Sequence, residues 1–206
     1  MTEHFDGRCA GLLLAAGSGS RFGGPKALAL MENRSLVARA VDVLRGGGCR
    51  PVHVVVGAQA DEVSALVPFD ASAVHAADWE RGIGESLRVG LTSLTDTNAS
   101  AVLIHLVDLP DVGADLVARF VAVARPDALV RAMFDDAIGH PVLVGRTWWP
   151  TLLASLSDSD PRTGARSFLN DHQALTLLEC SDLATGRDVD YAADLAHFVH
   201  GTLRRQ

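Results

Sequence analysis

The sequence of 206 residues is 48% hydrophobic and 21% charged, with a formal net charge of −7 at pH 7. A chain of this length buries roughly 70% of its unfolded surface, so it needs no disulfide or metal ion to fold, and its composition excludes a disordered protein. The negative charge, without any basic stripe, excludes nucleic acid and anionic membrane as main partners.

The sequence predicts a cytoplasmic protein. Its amino-terminal segment is charged and lacks the apolar stretch of a signal peptide, and no run approaches the roughly 18 apolar residues of a membrane helix. Cys9, Cys49 and Cys180 are far apart and odd in number, without a Cys-x-x-Cys pair. We therefore expect reduced thiols rather than disulfides or a metal cluster.

Strands and helices are predicted to alternate along the first 125 residues. Apolar runs at Cys9–Ala15, Val52–Val56 and residues 101–107 are typical of strands buried on both faces. Apolar residues at helical spacing predict four helices: one between Ser35 and the glycines at 46–48, and others around residues 63–67, 84–94 and 116–124. This order predicts an α/β fold of three layers, Rossmann-like, with a mostly parallel sheet.

The pattern changes after residue 128. Two apolar runs, 129–134 and 140–144, flank the short segment Asp-Asp-Ala-Ile-Gly, which predicts an antiparallel hairpin on the sheet. Helices are predicted near residues 148–156 and 163–170, a strand at 174–178 and a final helix after Asp190. Because no linker or repeat interrupts the chain, residues 1–206 are predicted to form a single domain.

A glycine-rich segment follows the first strand and ends at Pro25-Lys26. In open α/β sheets ligands bind beyond the carboxyl ends of the strands, and glycines let backbone N–H groups approach a phosphate closely. Lys26 is the sole lysine beside 17 arginines. Lysine is a point charge and arginine a planar fork, so Lys26 and Arg21 together suit a triphosphate. The segment predicts a nucleotide site.

Two other nucleotide loops fit this segment less well. A dinucleotide-binding turn needs a helix directly after its glycines and an acid at the end of the second strand, whereas here the glycines lead to Pro25 and that strand ends at Gly57. A Walker A loop is excluded because no Gly-Lys-Ser/Thr is present. An NAD(P)-dependent oxidoreductase stays open as an alternative function.

Asp108 stands at the end of the third buried strand, on the same edge as the glycine loop. Mg²⁺ prefers one or two carboxylates together with phosphate oxygens and water, so Asp108 is the predicted metal ligand. The alternative is a helix N-cap for the segment that follows.

The segment from Leu14 to Lys26, Leu-Ala-Ala-Gly-Ser-Gly-Ser-Arg-Phe-Gly-Gly-Pro-Lys, resembles the signature loop of the MobA-like NTP transferases, with one extra glycine. It is similar to the branch that contains molybdenum cofactor cytidylyltransferase. Further segments resemble family motifs in the family's order, at residues 78–90, 108–110, 139–142, 163–166 and 188–195. One departure is Ala192, where the family pattern has proline.

The resemblance implies a Mg²⁺-dependent nucleotidyltransferase that moves CMP from CTP to a phosphorylated acceptor, molybdopterin, and releases pyrophosphate. Arg21, Lys26 and Asp108 would be catalytic, and Asp190 would be the second metal ligand, with Asp188 as the alternative. The implied nucleotide-binding residues are Leu14, Ala15, Ala16, Gly17, Ser18, Gly19, Arg21, Lys26, Asp78, Gly84, Ser86 and Leu87.

The resemblance also implies an acceptor site at His140 and Arg166. Trp148-Trp149 opens a predicted helix and is expected to cap the core, with stacking on a flat acceptor ring as the alternative. A molybdoenzyme or its chaperone would be the protein partner. The alternatives are a relative that acts on a sugar or polyol phosphate, and a nucleotide-binding protein without catalytic activity.

Overall fold

The computed structural model describes residues 8–170 and 172–201. The strands, in chain order, are β1 Cys9–Ala15, β2 Leu30–Met31, β3 Arg34–Ser35, β4 Val52–Val56, β5 Ser72–His75, β6 Ala101–Leu106, β7 Leu129–Phe134, β8 Ala137–Gly145 and β9 Thr176–Glu179. The helices are α1 Leu36–Gly46, α2 Ala60–Ala65, α3 Ile83–Ser93, α4 Ala114–Val121, α5 Trp149–Asp158, α6 Arg166–Leu169 and α7 Leu195–Gly201.

Seven strands form one sheet in the order β5-β4-β1-β6-β8-β7-β9, and β2 pairs with β3 separately. Within the large sheet only β8 is antiparallel to its neighbours β6 and β7, while the other neighbours run parallel. The predicted mostly parallel sheet with an antiparallel hairpin is confirmed. Because β8 is reversed, its beginning lies at the edge where β1, β4 and β6 end.

Helices cover both faces of the sheet, which makes the three layers. The apolar residues of α1, α2 and α4 pack on one face, and those of α3, α5 and α6 pack on the other. In β1, Leu13 points to the first face, whereas Leu12 and Leu14 point to the second. Each fully buried leucine stabilises the fold by about 1.5–3 kcal/mol, so the central strand is held from both sides.

Several predicted elements have the expected bounds. The strands β1 and β4 match the predicted residues. The helix α1 begins after Ser35, whose hydroxyl accepts a hydrogen bond from the Ala38 N–H at 3.3 Å, and it ends at the predicted glycines. The hairpin turn is tighter than predicted, because Asp135 and Asp136 take positive φ values of 46° and 69° and β8 already begins at Ala137.

Other predicted elements differ in length or were not predicted. The helix α2 ends before Leu66, α6 is a single turn preceded by a 3₁₀ turn at Pro161–Thr163, and β9 begins two residues late. The strands β2, β3 and β5 were not predicted at all. The three cysteines are free and buried, as expected. Within the described residues, no helix has the length and apolar character needed to cross a membrane.

Candidate functional site

A cavity of about 420 Å³ opens at the edge of the sheet where β1 and β6 end. It contains most of the predicted glycine loop together with both predicted metal ligands. Its lining residues are Leu14, Ala15, Ala16, Gly17, Ser18, Gly19, Ser20, Arg21, Phe22, Lys26, Trp79, Glu80, Gly82, Ile83, Ser86, Leu106, Val107, Asp108 and Asp190. We call this space the loop cavity.

The glycine loop closes tightly around Gly19. The Gly19 carbonyl accepts hydrogen bonds from the N–H groups of Phe22 and Gly23, both at 2.9 Å, and of Gly24 at 3.2 Å. Gly19 has a φ of +60°, and a Cβ on it would lie 1.9 Å from the Gly24 carbonyl oxygen. Only glycine fits this position, so the curl that exposes Gly17 and Ser18 to the cavity depends on it.

Two cations and two carboxylates meet inside the loop cavity. The Lys26 Nζ lies 2.8 Å from Asp108 Oδ2 and 3.4 Å from Asp190 Oδ1, and an Arg21 guanidinium nitrogen lies 2.9 Å from Asp190 Oδ2. The side chains of Lys26, Asp108 and Asp190 are 16%, 20% and 29% exposed, whereas that of Arg21 is 66% exposed. Lys26 is therefore the inner cation and Arg21 the outer one.

Lys26 stays protonated in this position. Its partial burial on its own lowers the pKa, but the hydrogen bonds and negative charges of Asp108 and Asp190 outweigh that effect, so the pKa is raised overall. The ammonium group can therefore act as a fixed positive charge toward an anionic ligand.

Backbone contacts bring Asp190 to Asp108 across 82 residues of sequence. The Val189 N–H donates to the Asp108 carbonyl at 2.9 Å. The Asp194 carboxylate accepts from the N–H groups of Asp190 at 3.0 Å and Tyr191 at 2.7 Å, which fixes the turn. Asp190 therefore faces the cavity, while Asp188 is exposed outside its lining.

The alternative role of Asp108 as a helix cap is wrong. The helix α4 begins after Gly113, five residues further along, and Gly113 is its N-cap. The side chain of Asp108 points instead to Lys26. Asp111 has the structural role in this loop, because its Oδ2 accepts from the N–H of Thr185 at 2.7 Å and from its hydroxyl at 2.6 Å.

The start of α3 forms the opposite wall of the loop cavity, through Gly82, Ile83 and Ser86. Trp79 also lines this wall, and a Cβ on Gly57 would lie 2.6 Å from its Cγ, so the indole packs directly on that glycine. Trp79 was not among the predicted site residues, although it follows the predicted Asp78. The sequence offered one signal for Trp79: it is the aromatic residue of the 78–90 segment, and an aromatic ring can line a ligand site.

Three predicted nucleotide residues lie outside the lining of the loop cavity. Asp78 is exposed, before the 3₁₀ turn at Trp79–Arg81. Gly84 is buried, and a Cβ on it would lie 2.7 Å from the Pro161 carbonyl oxygen. Leu87 lies in a neighbouring cavity.

That neighbouring cavity, which we call the arginine cavity, has a volume of about 360 Å³ and shares Leu14, Ile83 and Leu106 with the loop cavity. Both predicted acceptor residues are in it. Its lining residues are Leu14, Ile83, Leu87, Ile104, Leu106, Arg131, Ile138, Gly139, His140, Val142, Arg162, Thr163, Gly164, Ala165, Arg166 and Leu169.

The polar part of the arginine cavity is positively charged. Arg131 donates from Nε to the Gly139 carbonyl at 3.1 Å, and Arg162 is paired with Asp160 at 2.8 Å. Burial lowers the pKa of His140 to about 4, and the charges of Arg131 and Arg166 contribute to that shift. His140 is therefore neutral near pH 7 and can both donate and accept a hydrogen bond.

Trp149 lies in the core, as expected, and neither tryptophan is placed to stack on a ligand in the arginine cavity. Trp149 is 2% exposed, donates from Nε1 to the Val144 carbonyl at 3.0 Å and lies under the Arg146 guanidinium. Trp148 makes an edge contact with the His172 ring at 4.7 Å. Neither lines the arginine cavity, whose floor is aliphatic.

The donor set of the loop cavity fits a hard divalent cation that shares its coordination with a ligand. In the described part of the chain, no three His, Cys, Asp or Glu residues come together as a metal cluster. Asp108 and Asp190, by contrast, both lie within 3.4 Å of one nitrogen. Two carboxylates leave most positions of Mg²⁺ to phosphate oxygens and water, which is its usual coordination beside a nucleotide.

Comparison with known proteins identifies the family. Residues 11–175 match the MobA-like NTP transferase domain. The chain is 35% identical over 192 residues to nicotine blue oxidoreductase of Paenarthrobacter nicotinovorans, covering 87% of this chain and 91% of that protein.

Solved structures give the same fold. A nucleotidyl transferase from Methanothermobacter thermautotrophicus superimposes with a TM-score of 0.80 at 21% identity, covering 97% of this chain and 99% of that one. Rv0371c of Mycobacterium tuberculosis H37Rv, in complex with manganese, gives a TM-score of 0.71 at 21% identity and covers 93% and 97% of the two chains. The match over residues 11–175 confirms the resemblance seen in the sequence: the chain belongs to the MobA-like NTP transferase family.

Proposed function

We propose that this protein transfers CMP from CTP to a phosphorylated acceptor, molybdopterin, and releases pyrophosphate. The observation that carries the proposal is the junction of the two cavities at Leu14, Ile83 and Leu106. One cavity has the features of a triphosphate site and the other those of a site for an anionic molecule, so two substrates can meet there.

The triphosphate would lie along the glycine loop. Arg21 and Lys26 would neutralise its charge, the first as a fork and the second as a point charge. Lys26 is the better placed of the two to act on the reacting phosphate, because it is largely buried and its charge is poorly screened by water.

The acceptor would lie in the arginine cavity. Its phosphate would pair with Arg131 or Arg166, and neutral His140 would hydrogen-bond to it or to a ring heteroatom. The aliphatic floor, with Leu87 and Ile104, suits the body of a ring compound. Sugar and polyol phosphates would leave that floor exposed to water.

The chemical step requires no covalent enzyme intermediate. An oxygen of the acceptor phosphate forms a bond to the α-phosphorus of CTP, the bond between that phosphorus and the bridging oxygen breaks, and pyrophosphate leaves with the electron pair. The phosphate nucleophile is already largely ionised near pH 7, since its second pKa is about 6, so no general base is needed. Arg21 and Lys26 would stabilise the charge on the departing oxygens.

Asp108 and Asp190 would hold Mg²⁺, which supplies Lewis-acid stabilisation of the phosphoryl oxygens when bound. Manganese in the Rv0371c complex supports a divalent cation in this fold.

Release of pyrophosphate tests the proposal directly. The protein is incubated with Mg²⁺, molybdopterin and each of the four NTPs in turn, and kcat/KM is compared. We expect CTP to be preferred, because a loop shaped for one pyrimidine ring leaves buried polar groups unpaired against a purine. A preference for GTP would contradict the cytidylyl assignment, and no turnover with any NTP would contradict the transferase assignment.

A second candidate function is reduction by a nicotinamide cofactor. It is supported by the 35% identity to a protein named nicotine blue oxidoreductase. Titration with NADH and NADPH, followed by cofactor fluorescence, separates the two functions. Saturable nicotinamide binding that CTP does not displace would favour the oxidoreductase.

A further inference from the structure

Five charged side chains line the loop cavity; four of them form one cluster of ion pairs that compensate one another, and the fifth, Glu80, is exposed. Lys26 and Arg21 carry the positive charges, and Asp108 and Asp190 carry the negative ones. Lys26 contacts both carboxylates, so its ammonium group lies at the position from which a bridging cation would contact them. Arg21 occupies the other oxygen of Asp190.

A divalent cation cannot share this arrangement. Mg²⁺ needs oxygen ligands at about 2.0–2.1 Å, whereas the ammonium nitrogen holds the Asp108 oxygen at 2.8 Å. A metal ion that enters by itself would add two positive charges to a group that is already neutral and partly buried. It would also strip Lys26 of its acceptors, which is costly for an ammonium group with a largely buried side chain.

A triphosphate removes both obstacles. It brings negative charge that compensates the metal ion, and its oxygens offer Lys26 and Arg21 new acceptors along the glycine loop. The four-carbon stem of lysine is flexible enough to turn from the carboxylates to a phosphate in the same cavity. The carboxylates of Asp108 and Asp190 are then free for the metal.

We infer that the Lys26 ammonium group blocks the metal site until a triphosphate draws it away from the two carboxylates, so that metal and nucleotide bind together. We call this block the latch. This inference rests on the proposed function for its two ligands. It adds that one residue makes the binding of each ligand depend on the other, a coupling that must act equally in both directions.

The test measures Mn²⁺ binding by electron paramagnetic resonance in protein without nucleotide, so that activity is not the readout. In Lys26→Met the latch is replaced by an uncharged side chain of similar length. We expect this variant to bind Mn²⁺ at least about tenfold more tightly than the wild type, because an adjacent positive charge has been removed. Adding Asp108→Asn to Lys26→Met should abolish the gain.

Two further variants make the result specific. Arg39→Gln removes a positive charge paired with Glu32 at 2.9 Å, outside the loop cavity, and should leave Mn²⁺ affinity unchanged. Arg21→Gln releases only one oxygen of Asp190, so its gain should be smaller than that of Lys26→Met. If Lys26→Met does not fold, Lys26→Gln takes its place: tighter Mn²⁺ binding than in the wild type supports the latch, and equal affinity overturns it.

The latch and the proposed function fail in different ways. In the wild type, saturating CTP should produce protein-bound Mn²⁺ at concentrations where Mn²⁺ alone produces none. If this occurs but the wild type and Lys26→Met bind Mn²⁺ alone equally well, the latch is wrong and the nucleotide site stands. If CTP produces no bound Mn²⁺ in the wild type, the proposed function itself is overturned, and the latch with it.

Discussion

Among single residues, Lys26 is the one whose chemistry the structure constrains most. Its ammonium group contacts two carboxylates from distant parts of the chain, and its side chain is only 16% exposed. The composition of the chain supports a specific role for Lys26, because every other Lys or Arg position is arginine.

Lys26→Arg should therefore fold normally and lose activity. The planar guanidinium is larger than an ammonium group and cannot present a point charge between Asp108 and Asp190. We expect kcat for pyrophosphate release to fall at least about a hundredfold, the usual effect of losing one transition-state donor. Activity within twofold of the wild type would show that any cation suffices here.

Asp108 and Asp111 provide a matched pair in one loop. Asp108→Asn removes the predicted metal ligand and should cost several orders of magnitude in kcat with little change in Tm. Asp111→Asn weakens the hydrogen bonds to Thr185 and should lower the free energy of unfolding by about 1–3 kcal/mol while kcat is retained. Activity assays and urea unfolding of both variants check this; the reverse result would exchange their roles.

His105 should make the stability of the fold depend on pH. Burial, together with the charge of His140, lowers the pKa of His105 from its usual 6.5 to about 3. The unfolded chain therefore takes up a proton as the pH falls through 6.5, while the folded chain does not until about pH 3, so stability is lost across that window. At pH 5 the loss is about 2 kcal/mol relative to pH 7.5.

Urea unfolding at pH 7.5 and pH 5 measures this contribution, and His105→Leu is the comparison. The variant should lose about 2 kcal/mol less than the wild type between the two pH values. Equal losses in the two proteins would mean that the buried ring already carries a proton at pH 5.

At the scale of elements, the start of α3 and the 3₁₀ turn at Pro161–Thr163 act as one wall. A Cβ on Gly84 would lie 2.7 Å from the Pro161 carbonyl oxygen, a backbone atom that cannot move away cheaply. Ile83 on this wall lines both cavities. The packing of two backbones thus positions a residue that lines both cavities.

Gly84→Ala should push the two segments apart. We expect the KM values of both CTP and the acceptor to rise, with a loss of about 1–3 kcal/mol in the free energy of unfolding. Gly113→Ala is the control, because a Cβ at that position meets nothing within 4 Å. Unchanged KM values in Gly84→Ala would show that the wall is not rigid.

Local pattern explains which elements could be predicted. The strands β1, β4 and β6 are continuous apolar runs because helices cover both of their faces, and α1 has both a cap and a glycine stop. The strand β5 is largely exposed at the edge of the sheet, so its sequence carries no alternation to read. The strands β2 and β3 have two residues each, too few for any period.

The site could be predicted only where a motif marks it. The glycine loop and Asp108 follow strands directly, whereas Asp190 was identified by family resemblance alone. Arg131 and Arg162 were missed because they are far apart in the sequence, and only the folded chain brings the β7–β8 hairpin and the Pro161–Thr163 turn to the lining of one cavity. Their spacing along the chain therefore could not predict that they lie in one cavity.

At the scale of the whole molecule, the charged groups of the two cavities come from different parts of the chain, although the cavities share apolar residues. Apart from Asp190, the loop cavity is lined by residues 14–108, and the polar groups of the arginine cavity come from residues 131–166. The protein has a net charge of −7, so these arginines make a local exception to its overall charge.

The separation predicts separable kinetics. His140→Ala and Arg166→Ala should raise the KM of the acceptor about tenfold or more while the KM of CTP stays within twofold, since a lost charged hydrogen bond costs about 1.5–3 kcal/mol. Arg125→Ala is the control, because Arg125 is exposed outside both cavities. An equal rise in both KM values would mean that CTP and the acceptor do not bind in separate cavities.

The reversed direction of β8 bears on how such a scaffold diversifies. Because β8 runs antiparallel to its neighbours β6 and β7, the β7–β8 hairpin brings Gly139 and His140 to the edge where β1 and β6 end, and neither residue belongs to the segment that forms the glycine loop. In a transferase of the proposed kind, mutations in the hairpin would change the second substrate while the residues of the glycine loop stay the same.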